Sequence, residues 1–218
     1  MRNILITVLI PMLLFFNVSH TNTQTKWSVE TLVGDAYCFK TPLTIKQTGY
    51  DDINFQAKYS TNSFKLPIYY SVHIAKWNRE KAWELEFVHL KIKLNNNPPE
   101  VQRFEISHGF NLLIVNRIWE NNKFIFRFGG GIVIAHPENI VRGKPLNQNK
   151  GILNKGYYIA GPTAQLAIGK RFSLFNNLVF MLAGKLTGAY ARVPVKDGHA
   201  NVTNVAVHCL VGLSYEFK

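Results

Sequence analysis

The amino-acid sequence predicts an all-β protein, a closed eight-stranded antiparallel barrel that spans a membrane and fills its narrow lumen with polar side chains. Three observations carry this. Hydrophobic residues make up 47% and aromatics 13% of the 218 residues, while charged residues reach only 17%, below the roughly 25% of ordinary soluble chains. No apolar run is long enough for a membrane-crossing helix of about 20 residues. Eight segments of two-residue alternation follow one another, joined by tight turns at one end and longer loops at the other.

The N-terminus comes first. Met1-Arg2-Asn3 is a short positive start, an apolar run covers residues 4–16, and small and polar residues follow to Thr25. That order is an export signal. The expected leader covers residues 1–22, with cleavage between Ser19 and Thr23, and the barrel covers 23–218. No Cys follows the apolar run, which argues against a lipoprotein anchor.

The alternating segments cover residues 27–39, 67–77, 82–94, 102–117, 124–135, 156–169, 178–192 and 203–217. The connections 78–81, 118–123 and 170–177 are tight, whereas 40–66 and 136–155 read as long loops. Period two assigns faces. The first strand carries Glu30 on its polar side and the second His73. In the third, Trp83, Leu85, Phe87 and His89 oppose Glu84 and Glu86. In the fourth, Ile106, His108, Phe110, Leu112 and Ile114 are assigned to lipid. In the fifth, Phe124, Phe126, Phe128, Ile132 and Ile134 oppose Arg127 and the glycines 129–131. The sixth includes Gly161 to Gln165. In the seventh, Phe180, Leu182, Leu186 and Tyr190 oppose Lys185 and Thr187. In the eighth, Val205, Val207, Cys209, Val211, Leu213, Tyr215 and Phe217 oppose Asn204, Ala206, His208, Gly212, Ser214 and Glu216.

A soluble barrel is apolar inside and hydrophilic outside; here the polar face holds too many small residues to be a solvated surface. It therefore faces the lumen, where Glu30, Glu84, Glu86 and Glu216 neutralise Arg127 and Lys185, because buried charges must be paired. Eight strands enclose room for side chains and no pore.

The formal charge is +12, with 25 Lys+Arg against 13 Asp+Glu. Nucleic-acid binding fits export poorly. A solvated basic surface and an anionic membrane partner both remain open. Cys38 and Cys209 are too few for a disulfide framework. They have opposite face parities on strands that adjoin on closure, which leaves open a bond or two free thiols.

Candidate chemistry concentrates on the third and fourth strands. A regular hairpin centred on residues 97–99 sets His89 opposite His108 on the outer wall. Two adjacent imidazoles there can bind a divalent metal or act as an acid–base pair; the plain alternative is hydrogen bonding to lipid headgroups. Lys91, Lys93 and Arg103 lie beside them, placed to grip lipid phosphates or simply as surface cations. His136-Pro137-Glu138 stands at the rim, a second metal or headgroup candidate. His73 and His208 read as structural groups of the lumen. The triple glycine lacks the helix that phosphate-cradling loops need. No nucleophile elbow, Ser-His-Asp arrangement or Cys-x-x-Cys is present.

Several segments carry a resemblance. Residues 87–91 (Phe-Val-His-Leu-Lys), 107–113 (Ser-His-Gly-Phe-Asn-Leu-Leu) with Asn116, 161–165 (Gly-Pro-Thr-Ala-Gln) and 203–207 (Thr-Asn-Val-Ala-Val) resemble the lipid A oxidase-like group of outer-membrane barrels, with His136 and Glu138 after a glycine-rich strand. Leu213-Ser214-Tyr215-Glu216-Phe217 is similar to the terminal aromatic signature of bacterial outer-membrane barrels. The resemblance implies a Gram-negative outer-membrane protein with both ends in the periplasm. It implies oxidation of the proximal glucosamine of lipid A to an aminogluconate, using oxygen and a divalent metal. His89 and His108 would be the catalytic and metal-binding pair, with Asn111 and Lys91 supporting. Lipopolysaccharide is the expected partner, the barrel-assembly machinery acts during biogenesis, and the protein is expected to be a monomer. The other reading is a non-enzymatic barrel that stabilises the membrane or binds a surface ligand through its long loops.

Overall fold

The structure is a computed structural model that describes residues 25–217; the expected leader lies outside them. These residues form β1 (Thr25–Cys38), β2 (Thr41–Gln47), β3 (Ile53–Ala57), β4 (Tyr59–Ser60), β5 (Tyr70–Asn78), β6 (Lys81–Leu94), β7 (Val101–Asn121), β8 (Phe124–Ala135), β9 (Glu138–Val141), β10 (Lys144–Pro145), β11 (Tyr158–Ser173), β12 (Leu178–Val195) and β13 (Gly198–Phe217). Eight of them hydrogen-bond antiparallel in the order β1-β5-β6-β7-β8-β11-β12-β13, and β13 returns to β1 from Trp27↔Phe217 to Cys38↔Ala206. Closure pairs the wall strands on both sides, which a bilayer requires because lipid offers no partner to a free edge.

The tight turns follow from local chemistry. Asn122 and Lys123 both take positive φ, 48° and 68°, which matches the right-handed twist of a two-residue hairpin. The faces of β8, β12 and β13 are as the alternation predicts: Phe126, Phe128, Leu182, Leu186, Val211 and Leu213 lie exposed on the outside, while Arg127, Lys185, Thr187 and His208 are buried inside.

The lumen is an ion-pair network. Arg127 donates to Glu30 at 2.8 Å and to Glu84 at 3.2 Å, and Lys185 pairs with Glu86. Asn116 Nδ2 donates to both Glu84 and Glu86 at 2.8 Å, and Gln165 donates to Glu86 and to Asn116 Oδ1. Glu216 departs from expectation. It lies at the tight-turn end and pairs with Lys26 at 2.9 Å and with Arg171. Cys38 is buried and accepts from Asn204, whereas Cys209 is exposed on the outer wall. The two thiols are free, so the bonded alternative falls.

Two further expectations are corrected. The stretches 40–66 and 136–155 are not structureless loops, because β2 and β3 continue the sheet from β13, β9 pairs with β7, and β4 pairs with β6. Leu43, Ile45, Ile92, Leu94, Phe104, Ile106, Val141, Val193 and Val202 fill the inside of this upper region and are almost wholly buried. The upper barrel is thus apolar inside, the reverse of the ion-paired region below.

The second correction concerns β7. Phe110, Leu112 and Ile114 are fully buried and share the inner face with Asn116 and Ile118, while Val115 and Trp119 are exposed outside. The register sets Trp83 against Arg117, Leu85 against Val115 and His89 against Asn111. The cause is the hairpin register: Ile92 pairs with Ile106 and Lys93 with Glu105, one residue off the register that would set His89 opposite His108, and a slip of one sends every side chain to the other face. A bulge then shifts the pairing further. Leu90 pairs with Phe110 but Ile92 with Ile106, so three β7 residues, Ser107 to Gly109, stand against Lys91 alone. The bulge adds two residues to β7, so Ile106 above it and Phe110 below it keep the same inner face.

Candidate functional site on the outer wall

The bulge creates the site. Gly109 has φ 137°, and a Cβ there would meet the Asn111 side chain at 2.3 Å; an L side chain would be both strained and crowded. The detour turns His108 out of the strand's alternation and leaves its side chain 62% exposed. At that height β8 ends, and its chain turns through Pro137 into β9. His136 N donates to Gly109 O at 2.9 Å, which brings His136 beside the bulge. The His108 and His136 rings have centroids 5.0 Å apart.

Glu138, the first residue of β9, completes the group. It accepts from Ser107 Oγ at 2.8 Å, and also from His108 Nδ1 and Arg103. Burial pushes its carboxyl upward, but the bonds from Ser107 and His108 and the nearby Arg103 charge outweigh this and hold it below the ordinary carboxylate range. Burial lowers the His136 imidazole below its usual value, and the His108 charge adds to the effect. His136 Nδ1 is buried without a hydrogen-bond partner. One ligand atom from each of His108, His136 and Glu138 lies within 4.8 Å of the others. Two imidazoles and one carboxylate with open positions are a donor set that suits divalent iron, zinc and related ions.

His89 does not face His108 across the hairpin. Its Nδ1 donates to Asn111 Oδ1 at 2.8 Å, its ring stacks on Tyr70 with centroids 5.3 Å apart and planes at 18°, and it is almost wholly buried. That donation leaves Nε2 as the lone-pair nitrogen, buried and without a partner. The charge of His108 still reaches it, so His89, Asn111 and His108 lie in one patch although the His89–His108 pair dissolves.

The cations divide. Lys91 Nζ donates to the Lys65 backbone carbonyl at 2.6 Å, tying the 61–69 loop to β6. Arg103 is occupied by Glu105 and Glu138. Lys93 is exposed, opposite Glu105 in register. Tyr70 and Tyr157 belong to the patch and were not foreseen: Tyr157 lies 4.8 Å from His136, centroid to centroid, and its hydroxyl donates to His108 O at 3.3 Å.

A second group that could hold a cation, His73, Glu84 and Glu86, lies in the lumen. Arg127, Lys185 and Asn116 already satisfy those carboxylates, so it reads as structural.

No protein-family model matches the chain, and no curated protein matches it. Solved structures that the chain resembles include three. Neisserial surface protein A (NspA) gives a TM-score of 0.43 at 6% identity, over 88% of this chain and 97% of that one. The outer-membrane protease OmpT of Escherichia coli gives 0.40 at 8% identity, over 92% and 99%. Ail, the attachment invasion locus protein of Yersinia pestis, gives 0.39 at 9% identity, over 88% and 97%. At these levels no activity carries over.

Proposed function

We propose that the protein is an outer-membrane barrel of a Gram-negative cell, its ends and tight turns toward the periplasm, that modifies the glucosamine headgroup of lipid A at the outer leaflet. In this reading His108, His136 and Glu138 hold a divalent metal ion and His89 is the base. The observation that supports it is the convergence of two imidazoles and a carboxylate on the outer wall, beside a buried histidine whose second nitrogen has no partner.

A divalent ion supplies Lewis acidity and, where redox-active, access to oxygen chemistry. The chain's own residues do the rest. Asn111 fixes the His89 tautomer, so Nε2 accepts the proton of a sugar hydroxyl. Glu138 is ionised and His136 neutral, the states in which each can act as ligand. Arg103 and Ser107 orient the Glu138 carboxylate. In the oxidation that the resemblance implies, the anomeric C–H and O–H bonds of a free reducing-end glucosamine break. Two electrons and two protons pass to dioxygen as hydrogen peroxide, and water opens the resulting lactone to the aminogluconate.

The test is mass spectrometry of lipid A from cells with the wild-type protein, His108→Ala, His136→Ala and no protein. Modified lipid A only with the wild type supports the reading; unchanged lipid A with the wild type ends it. A non-enzymatic reading has one observation in its favour. Glu138 is already satisfied by Arg103, Ser107 and His108, a network that would also simply brace the rim.

A further inference from the structure

Two loops converge on the patch. The segment 61–69 reaches it through Lys65 O, held by Lys91, and through Tyr70, which stacks on His89. The segment 147–157 reaches it through Tyr157, which packs on His136, while Gln148 donates to Pro137 O at 3.1 Å. Both expose apolar tips: Phe64 is 77% exposed, Leu66 78% and Leu153 82%, with Ile68 and Ile152 beside them. Exposed apolar tips at the ends of two loops mark a contact surface.

The register says what they contact. Around the wall, Tyr70, His89, Asn111, Ile134 and Ile159 form one cross-strand row. The row beneath it, Val72, Phe87, Leu113 and Ile132, is wholly apolar. The histidines therefore stand directly on the upper edge of the lipid-facing wall, and the tips are continuous with that wall. The only ionisable side chains in the two loops besides tyrosines are cationic: Lys65 in one, Lys150 and Lys155 in the other. Lys65 and Lys91 are close enough for their charges to act on each other, and among the described residues neither has a carboxylate partner. Two neighbouring ammonium groups without a counter-ion suit an anionic headgroup. The 61–69 loop leads into β5 and the 147–157 loop into β11, four strand spacings apart around the wall, about 19 Å, with His89, His108, His136 and Tyr157 between them.

We propose that the two loops are lips immersed in the outer leaflet that straddle one acidic glycolipid. Its acyl chains lie along Phe87, Leu113 and Ile132, its sugars over His89, His108 and His136, and its anionic group on Lys65 and Lys91. This rests on the lipid A reading for the sugar, and its own evidence is the height and charge of the loops. The substrate is then taken from within the bilayer, and a free headgroup sugar is not recognised.

The test reads depth first. Leu66→Cys and Leu153→Cys, each with Cys209→Ser, carry a nitroxide in phosphatidylcholine vesicles containing monophosphoryl lipid A. Collision with oxygen should exceed collision with a water-soluble nickel chelate at both sites; the opposite order overturns the proposal. The second readout is retention of lipid by the detergent-solubilised protein in native mass spectrometry. Monophosphoryl lipid A should stay bound, and Lys65→Gln and Lys91→Gln should each weaken retention about fivefold. Equal retention of phosphatidylglycerol, or no loss in the double variant, contradicts a glycolipid site. Immersed lips with bound lipid, but unmodified lipid A in cells, would sink the enzymatic reading and leave the lips standing.

Discussion

Arg127 is the side chain on which most of the lumen depends. It is buried and serves Glu30 and Glu84 together, so removing it strands two carboxylates. Breaking a buried ion pair from one side costs about 3–5 kcal/mol, and reversible urea unfolding of Arg127→Met in detergent should show a loss of that order. Gly129 is the matching steric point: a Cβ there would meet Asn116 Oδ1 at 1.9 Å. Gly129→Leu should displace Asn116 from Glu84 and Glu86 and cost about 1–3 kcal/mol by overpacking. The partners Glu30, Glu84, Glu86, Arg127 and Lys185 were legible in the sequence, because charges on a face of small residues have to find one another. Glu216 was not, because alternation gives a residue's face and not its height along the barrel.

At the rim the outer site has a pH consequence. The His136 imidazole is held low and Glu138 is held low. In the range where an ordinary histidine titrates, Glu138 therefore stays ionised. The folded His136 also binds fewer protons than its unfolded counterpart. Stability at the rim and metal affinity should both fall as pH drops through and below that range. Cobalt titrations at descending pH check this; an affinity that is flat across the histidine range would contradict the donor set.

The element that decides the site is the bulge in β7. Eight strands and most of their faces could be read from period two, yet β7 could not. A regular hairpin and a bulged one share the same alternation, and only the partner strand reveals the two additional residues. A one-residue difference in the hairpin register inverted the β7 face, and the bulge replaced the His89–His108 pair by His89–Asn111 and His108–His136–Glu138. The motif His136-Pro137-Glu138 reads in the sequence as the end of a strand at the rim, and it lies between β8 and β9. β2, β3 and β9 were missed for a different reason: above the membrane the same alternation serves an apolar inside, and turn-rich stretches such as 48–52 read as continuous loop. Gly109→Ala should preserve the barrel while straining the bulge. A folded barrel with modestly lowered thermal stability and lost metal binding is the expected result, whereas metal binding retained at the lowered stability would mean that the bulge does not position the site.

As a whole, the molecule changes polarity along its axis. Ion pairs fill the lower lumen beneath an apolar outer wall, while aliphatic side chains fill the upper region, whose outer faces carry Lys46, Asn54 and Arg192. Leu182 lies on the lipid-facing wall, and a charge near the bilayer midplane costs about 2–4 kcal/mol. Leu182→Arg should lower stability in lipid vesicles by that amount; a harmless Leu182→Arg would mean the wall does not face lipid there. The closed ring should also give different gel mobility before and after boiling in detergent.

The measurement closest to the central claim is a cobalt titration of the refolded protein in detergent, followed by visible absorption. Wild type should bind a single cobalt ion at the rim. His136→Ala, His108→Ala and Glu138→Gln should each lose it, while His89→Ala and the lumen variant His73→Ala should keep it. Binding that survives all three rim substitutions, or a wild type that binds no cobalt, would contradict a metal site built on the outer wall of this barrel.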